Sequence, residues 1–223
     1  NISIAGGEPL IHPNILEIVA YIRSLKMKPL ILTNAIKLEN NRPFMVELKK
    51  AGAVGFTFHI DSEQNRTHWK GKSETELFEL RQHFADMAHS VGGLFSSFGM
   101  TVYPGNVHFV KELVSWANKN IDRVHGLVFI GFRTAALGGG YDFYAGNQSI
   151  DPQMSYFGGD TSESYLTSTD IYEKIKQDFP HYETSAYMGG SQSDDKITWL
   201  VSAQLGTKHK MYGSSGTKVM EMF

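Results

Sequence analysis

The sequence predicts an α/β fold built on a parallel sheet, and three observations predict it. Short apolar runs rich in strand-forming residues recur at 2–4, 28–35, 53–61, 94–104 and 124–133. Between them lie longer segments whose apolar residues fall at helical spacing. The run "KPLILTNA" is continuous rather than alternating, as suits a strand buried on both faces. Strands that alternate with helices are joined by crossovers, and crossovers make neighbouring strands parallel.

Each element has its own signals. Ile2-Ser3-Ile4 is a short strand that stops at Gly6-Gly7. Asn14 is expected to cap a helix carrying Ile15, Ile18, Val19 and Ile22 on one face, with Glu17 at the capping-box position. A second helix from Arg42 to Ala51 turns Phe44, Met45 and Leu48 inward and stops at Gly52. The segment 74–91 reads as a long amphipathic helix through Leu77, Leu80, Phe84 and Met87, and 107–118 as another around Val110, Leu113 and Val114. Beyond Thr134 the character changes, so the boundary is placed there, with a βα region at 1–134 and an irregular C-terminal extension at 135–223. The extension opens with "LGGGYDFYAG", a glycine-rich stretch read as a flexible connector. A helix capped by Ser168 or Thr169 follows, then apolar stretches at "KITWLVSAQL" and "TKVMEMF".

Composition narrows the function. The 223 residues carry a net charge of -2, which gives no basic excess for nucleic acid. No stretch approaches the roughly 18 apolar residues of a membrane span, and no signal peptide opens the chain. The expectation is a cytoplasmic protein. Cysteine is absent, which removes thiol nucleophiles, disulfides and thiolate-held metals from these residues. The histidines show no HExxH spacing, so no metal ligand is assigned, and His83, His108 and His125 read as surface or packing residues.

In parallel α/β sheets ligands bind beyond the carboxyl ends of the strands. Those ends hold Gly6, Gly7, Glu8 and Pro9, then Thr33 and Asn34, then His59, Asp61 and Ser62, with Ser97 and Thr101 on the fourth strand and Arg133 after the fifth. Two glycines let backbone approach a ligand, and a carboxylate beside them makes an acceptor-rich corner for an ammonium group. Pro9 stiffens the turn. The same four residues also suit an ordinary strand-to-helix turn. His59 and Asp61 are two residues apart, so one face of a strand presents both, and they can serve as an acid and base pair. Arg133 is a candidate anchor for a substrate carboxylate or phosphate. Trp69 suits either a pocket wall or simple loop packing.

The segment "SIAGGEPLIHPNILEIVAYIRSLKMKPLILTNA" resembles the second strand, second helix and third strand of the radical S-adenosylmethionine (radical SAM) superfamily. The resemblance covers about Ile2 to Arg133, with "FHIDS" and "SFGMTVYPGN" similar to later strands. It implies a partial (βα)6 TIM-like barrel whose first βα unit, with the Cys-x3-Cys-x2-Cys loop that holds a 4Fe-4S cluster, would precede Asn1. It implies that Gly6, Gly7 and Glu8 receive the methionine amino group of S-adenosylmethionine, that His59, Asp61 and Ser62 reach its ribose, and that the fourth strand helps hold it. The implied activity is reductive cleavage of SAM to a 5′-deoxyadenosyl radical that abstracts hydrogen from a small-molecule or peptide substrate. A reductant such as flavodoxin or ferredoxin is the implied partner. The chain departs from the family in having no cysteine, so by itself it is expected to be inactive. Two other readings stand beside this one: a cluster-less SAM- or nucleoside-binding module, and a TIM-like lyase or isomerase using His59 and Asp61.

Overall fold

The structure is a computed structural model that describes residues 1–64, 66, 68–132, 143–150, 166–189, 197–216 and 218. Strands β1 (Ile2–Ile4), β2 (Pro29–Thr33), β3 (Gly55–His59), β4 (Phe95–Val102) and β5 (Gly126–Gly131) form one parallel sheet in chain order. Helices α1 (Ile15–Ser24), α2 (Arg42–Ala51), α3 (Phe78–Val91) and α4 (Val110–Lys119) alternate with them. The sheet curls into a half-barrel, the parallel α/β arrangement expected from the alternation.

Period two decides what each face carries. On the helix side Phe56, Phe58 and Phe98 are buried against Phe84 of α3, with Phe58 5.1 Å from Phe84 and 5.3 Å from Phe98 between ring centroids. Burying each such side chain stabilises by about 1.5–3 kcal/mol, so this aromatic stack is a main anchor of the sheet. The opposite, concave face carries Gly55, Thr57 and His59 from β3 and, in register, Ser97, Gly99 and Thr101 from β4. Gly55 is required by packing, because a Cβ there would lie 2.2 Å from the Phe95 carbonyl oxygen.

Helix ends are where the expectations shift. α2 begins and ends as predicted, with Asn41 Oδ1 accepting the Phe44 N–H and Gly52 closing the helix at φ +118°. Asn14 stands at the N-cap of α1 but makes no side-chain cap bond; its own N–H is taken by His12 Nδ1 at 3.1 Å. α3 starts at Phe78 rather than 74 because Glu74 turns into the core to meet Arg81. Thr167, not Ser168 or Thr169, caps α5 (Ser168–Asp178) in a reciprocal capping box with Asp170.

α5 docks Ile171 and Ile175 against Met100, Val102, Val110, Leu113 and Val114, a second core beside the first. The C-terminal region adds three antiparallel pairs: β6 (Phe143–Ala145) with β7 (Gln148–Ile150), β8 (Ala186–Gly189) with β9 (Ile197–Val201), and β10 (Gln204–Thr207) with β11 (Lys210–Ser214). The connector expected at the glycine-rich stretch thus contains a hairpin, while 133–142 and most of "TKVMEMF" lie outside the described residues. Among the described residues no helix is long and apolar enough to cross a membrane.

Candidate functional site

The carboxyl ends of β1 to β4 bring the expected residues into two groups. The first forms where the chain leaves β1. Gly6 takes φ +136°, a conformation that glycine adopts without penalty. Gly7 has no such requirement, and nothing lies within 4 Å of the place where a Cβ would stand. Both glycines are exposed. Glu8 follows and reaches across to β2, where Oε1 accepts from Thr33 Oγ1 at 2.7 Å and Oε2 from the Asn34 N–H at 2.7 Å. Oε1 also accepts the Leu10 N–H at 3.0 Å, which seats Pro9 in a short buried turn. A carboxylate offers about four acceptor positions, so one remains, on the Oε2 side.

Thr33 is buried and acts as a clamp; its Oγ1 also accepts the Ala35 N–H at 2.8 Å. That bond helps hold Ala35 at φ +60°, a left-handed conformation that costs a non-glycine residue of order 1–3 kcal/mol. Strain of this kind persists only where neighbours over-determine it, and here it sits at the strand end beside Glu8. Asn34 contributes its backbone to Glu8, while its side chain closes a local turn to the Ile36 N–H at 3.0 Å.

The second group is centred on His59. Its Nε2 lies 2.7 Å from Asp61 Oδ2 and 3.2 Å from Thr101 Oγ1. Asp61 is 3% exposed, and its oxygens also accept the N–H groups of Glu63 and Thr101 at 3.1 and 3.3 Å. Burial, the largest single influence, pushes the Asp61 carboxyl up. The hydrogen bond and charge of His59 and the bonds from Thr101 together outweigh it and hold the carboxyl below its ordinary value. Asp61 is therefore ionised and accepts three hydrogen bonds from within the protein. Its role is to orient His59. The His59 ring lies across Gly99, where a Cβ would come within 3.2 Å of Nδ1; glycine in the middle of β4 makes room for it.

Ser62 joins this group through its N–H, which Glu74 Oε1 accepts at 2.7 Å. Ser97 does not reach the strand ends. It lies buried in mid-strand with its hydroxyl 2.7 Å from that of Thr57. Arg133 lies outside the described residues. Trp69 packs against the main core and donates to Glu39 Oε1 at 3.0 Å, the loop-packing role.

Four residues of the site went unrecognised in the sequence. Arg66 is buried between the two groups and donates through Nη2 to the carbonyls of Asn34 and His59, pinning the ends of β2 and β3. Burial draws its guanidinium below the ordinary value against the opposing charges of Glu39, Asp61 and Glu8. Behind them, Arg81 and Glu74 form a buried pair at 2.5 Å, and Arg81 donates to the Ile60 carbonyl at 2.8 Å. Asn106 completes the frame by donating to the Thr101 carbonyl at 3.0 Å and accepting the Tyr103 N–H at 2.7 Å. One signal was available: Arg81 stands on the inward stripe shared by Leu77 and Phe84, and a charge on an apolar stripe needs a buried partner.

The residues present fit a ligand carrying an ammonium group, since Glu8 keeps a spare acceptor and the neighbouring Gly7 is exposed. They do not fit a 4Fe-4S cluster, because the chain has no thiolate to offer. Among the described residues no cluster of three or more His, Asp or Glu stands ready for a metal ion. No protein-family model and no curated protein matches the chain, so the functional argument rests on the site itself.

Proposed function

We propose that the mouth of the half-barrel binds S-adenosylmethionine and that this chain is the SAM-binding part of a radical SAM enzyme. The observation that carries the reading is the Gly7–Glu8 corner. Glu8 is immobilised by three donors, one from its own turn and two from the end of β2, yet keeps one acceptor position, and Gly7 is a glycine that the fold does not demand. An ammonium group approaching over Gly7 meets exposed backbone and a fixed carboxylate, an arrangement worth about 1.5–3 kcal/mol per charged hydrogen bond. In the family the bound cofactor, reduced by its cluster, supplies the hydrogen-abstracting chemistry. This chain's residues bind and orient: Glu8 and the glycine backbone take the amino end, and the side chains from β3 and β4 line the concave face. Because the chain offers the cluster no thiolate, the reading assigns it binding and not cleavage.

Calorimetric titration with SAM tests this. The wild-type chain is expected to bind, and Gly7→Ala to weaken binding about tenfold while leaving the unfolding free energy within about 0.5 kcal/mol of the wild type. No heat of binding in the folded wild-type chain would overturn the reading. Equal affinity in Gly7→Ala would remove its main support.

A further inference from the structure

The exposed end of the His59 ring has no assigned task. Nε2 is committed to Asp61 and Thr101, and the ionised Asp61 requires a proton on that nitrogen. In the neutral ring the lone pair therefore resides on Nδ1, which takes no hydrogen bond among the described residues, and the side chain is 30% exposed. Nδ1 faces the concave side over Gly99, while the other ring nitrogen, Nε2, is the one that meets the Thr101 hydroxyl. A histidine wanted only for packing has no need of a buried, ionised carboxylate behind one nitrogen while the other takes no bond among the described residues.

We propose that His59 is a proton acceptor on the concave face, acting through Nδ1 on an acidic hydrogen of a bound molecule. The hydrogen is carried by a hydroxyl or by a carbon next to a carbonyl. The bond from that hydrogen to oxygen or carbon breaks, the N–H bond forms at Nδ1, and the electron pair stays on the substrate atom. Asp61 stabilises the imidazolium and is a positioning residue. The proton leaves Nδ1 to product or water. No oxidant, reductant or metal is needed, and the proposal does not depend on SAM occupying the mouth.

Acylation by diethyl pyrocarbonate, which attacks a neutral imidazole nitrogen, provides the test. The chain has nine histidines, and the eight other than His59 are all exposed, whereas His59 is only partly so. Accessibility alone makes His59 the slowest to react. Activation by Asp61 makes it the fastest, about fivefold ahead of the mean of the other eight, and Asp61→Asn slows it about tenfold while sparing them. Peptide mapping by mass spectrometry on the full chain reads each rate. A His59 rate at or below that of the exposed histidines would overturn the proposal.

Should Asp61→Asn fail to fold, nitrogen NMR of the wild-type chain gives the tautomer directly. A proton on Nδ1 instead of Nε2 would be equally fatal. Adding SAM separates the two readings. Protection of a fast-reacting His59 supports both, whereas a fast His59 without protection upholds the proton acceptor and counts against SAM at the mouth.

Discussion

The Glu74–Arg81 pair allows the frame of the site to be tested without any ligand. Both side chains are at most 2% exposed, and their bonds reach Ser62, Ile60 and the Glu74 backbone. Arg81→Met strands a buried carboxylate and removes the donors from two carbonyls. Losing one partner of a buried pair costs about 3–5 kcal/mol. At about 2–4 °C per kcal/mol for a chain of this size, the melting point falls by roughly 6–20 °C. Glu74→Leu leaves the guanidinium uncompensated and orphans the Ser62 N–H, at a similar cost. The double variant Glu74→Leu/Arg81→Met carries no buried charge, so only the orphaned backbone groups remain, at about 1–3 kcal/mol each. Urea unfolding followed by circular dichroism on all four proteins gives the coupling. The double variant is expected to be more stable than the sum of the singles predicts, by about 3 kcal/mol or more. Costs that add to within about 0.5 kcal/mol would refute the claim that the two charges hold each other in place.

Three further outcomes follow from single residues. Asp61 has a folded-state pKa below its unfolded value of about 3.9, so its stabilisation is full above that pH and is lost as the pH falls through the lower value. The gap in urea midpoint between wild type and Asp61→Asn is therefore expected to be wide at neutral pH and to close on acidification below about pH 3.9; a constant gap would contradict the assignment. Thr167→Ala breaks the reciprocal cap of α5 and is expected to cost about 1 kcal/mol, visible in the same unfolding assay, with no loss counting against the cap. Gly55→Ala forces β3 and β4 apart at the Phe95 carbonyl and is expected to cost about 3 kcal/mol or more, and a melting point equal to wild type would show that the strands can yield.

What could be read in the sequence was governed by distance along the chain. The βα alternation was legible because each element is local: Leu30, Ile31 and Leu32 announce a strand, and Phe44, Met45 and Leu48 before Gly52 mark a helix that the structure places at Arg42–Ala51. Helix starts misled where a side chain had a better partner elsewhere. Glu74 looked like a first-turn residue of α3, yet its carboxylate is spent on Arg81 and Ser62. The candidate residues at the strand ends were legible as positions but not as roles. Thr33 and Asp61 look like ligand contacts in a list of polar residues, and the structure turns both inward as orienting groups for Glu8, Ala35 and His59. Arg66 was hidden because its partners are backbone carbonyls at positions 34 and 59, which leave no mark on side-chain identity.

Arg66 also bears on which ligand suits the mouth. Its guanidinium feels three carboxylates, Glu39, Asp61 and Glu8, and also the charge of Arg81, while the Lys37 ammonium is held at the Leu10 carbonyl beside Glu8. The Glu74–Arg81 pair behind is neutral as a unit. Arg66 is committed to two carbonyls, and Asp61 to His59 and Thr101, so neither can swing out to meet a guest. Glu8 and Asp61 are thus held in place at the mouth, and fixed charges recognise an opposite charge without having to reorganise. A molecule with an ammonium and a sulfonium centre against one carboxylate has an excess of positive charge. A guest with an excess of positive charge therefore suits both the Glu8 corner and the carboxylates around Arg66, and the choice of SAM among such guests comes from the family resemblance.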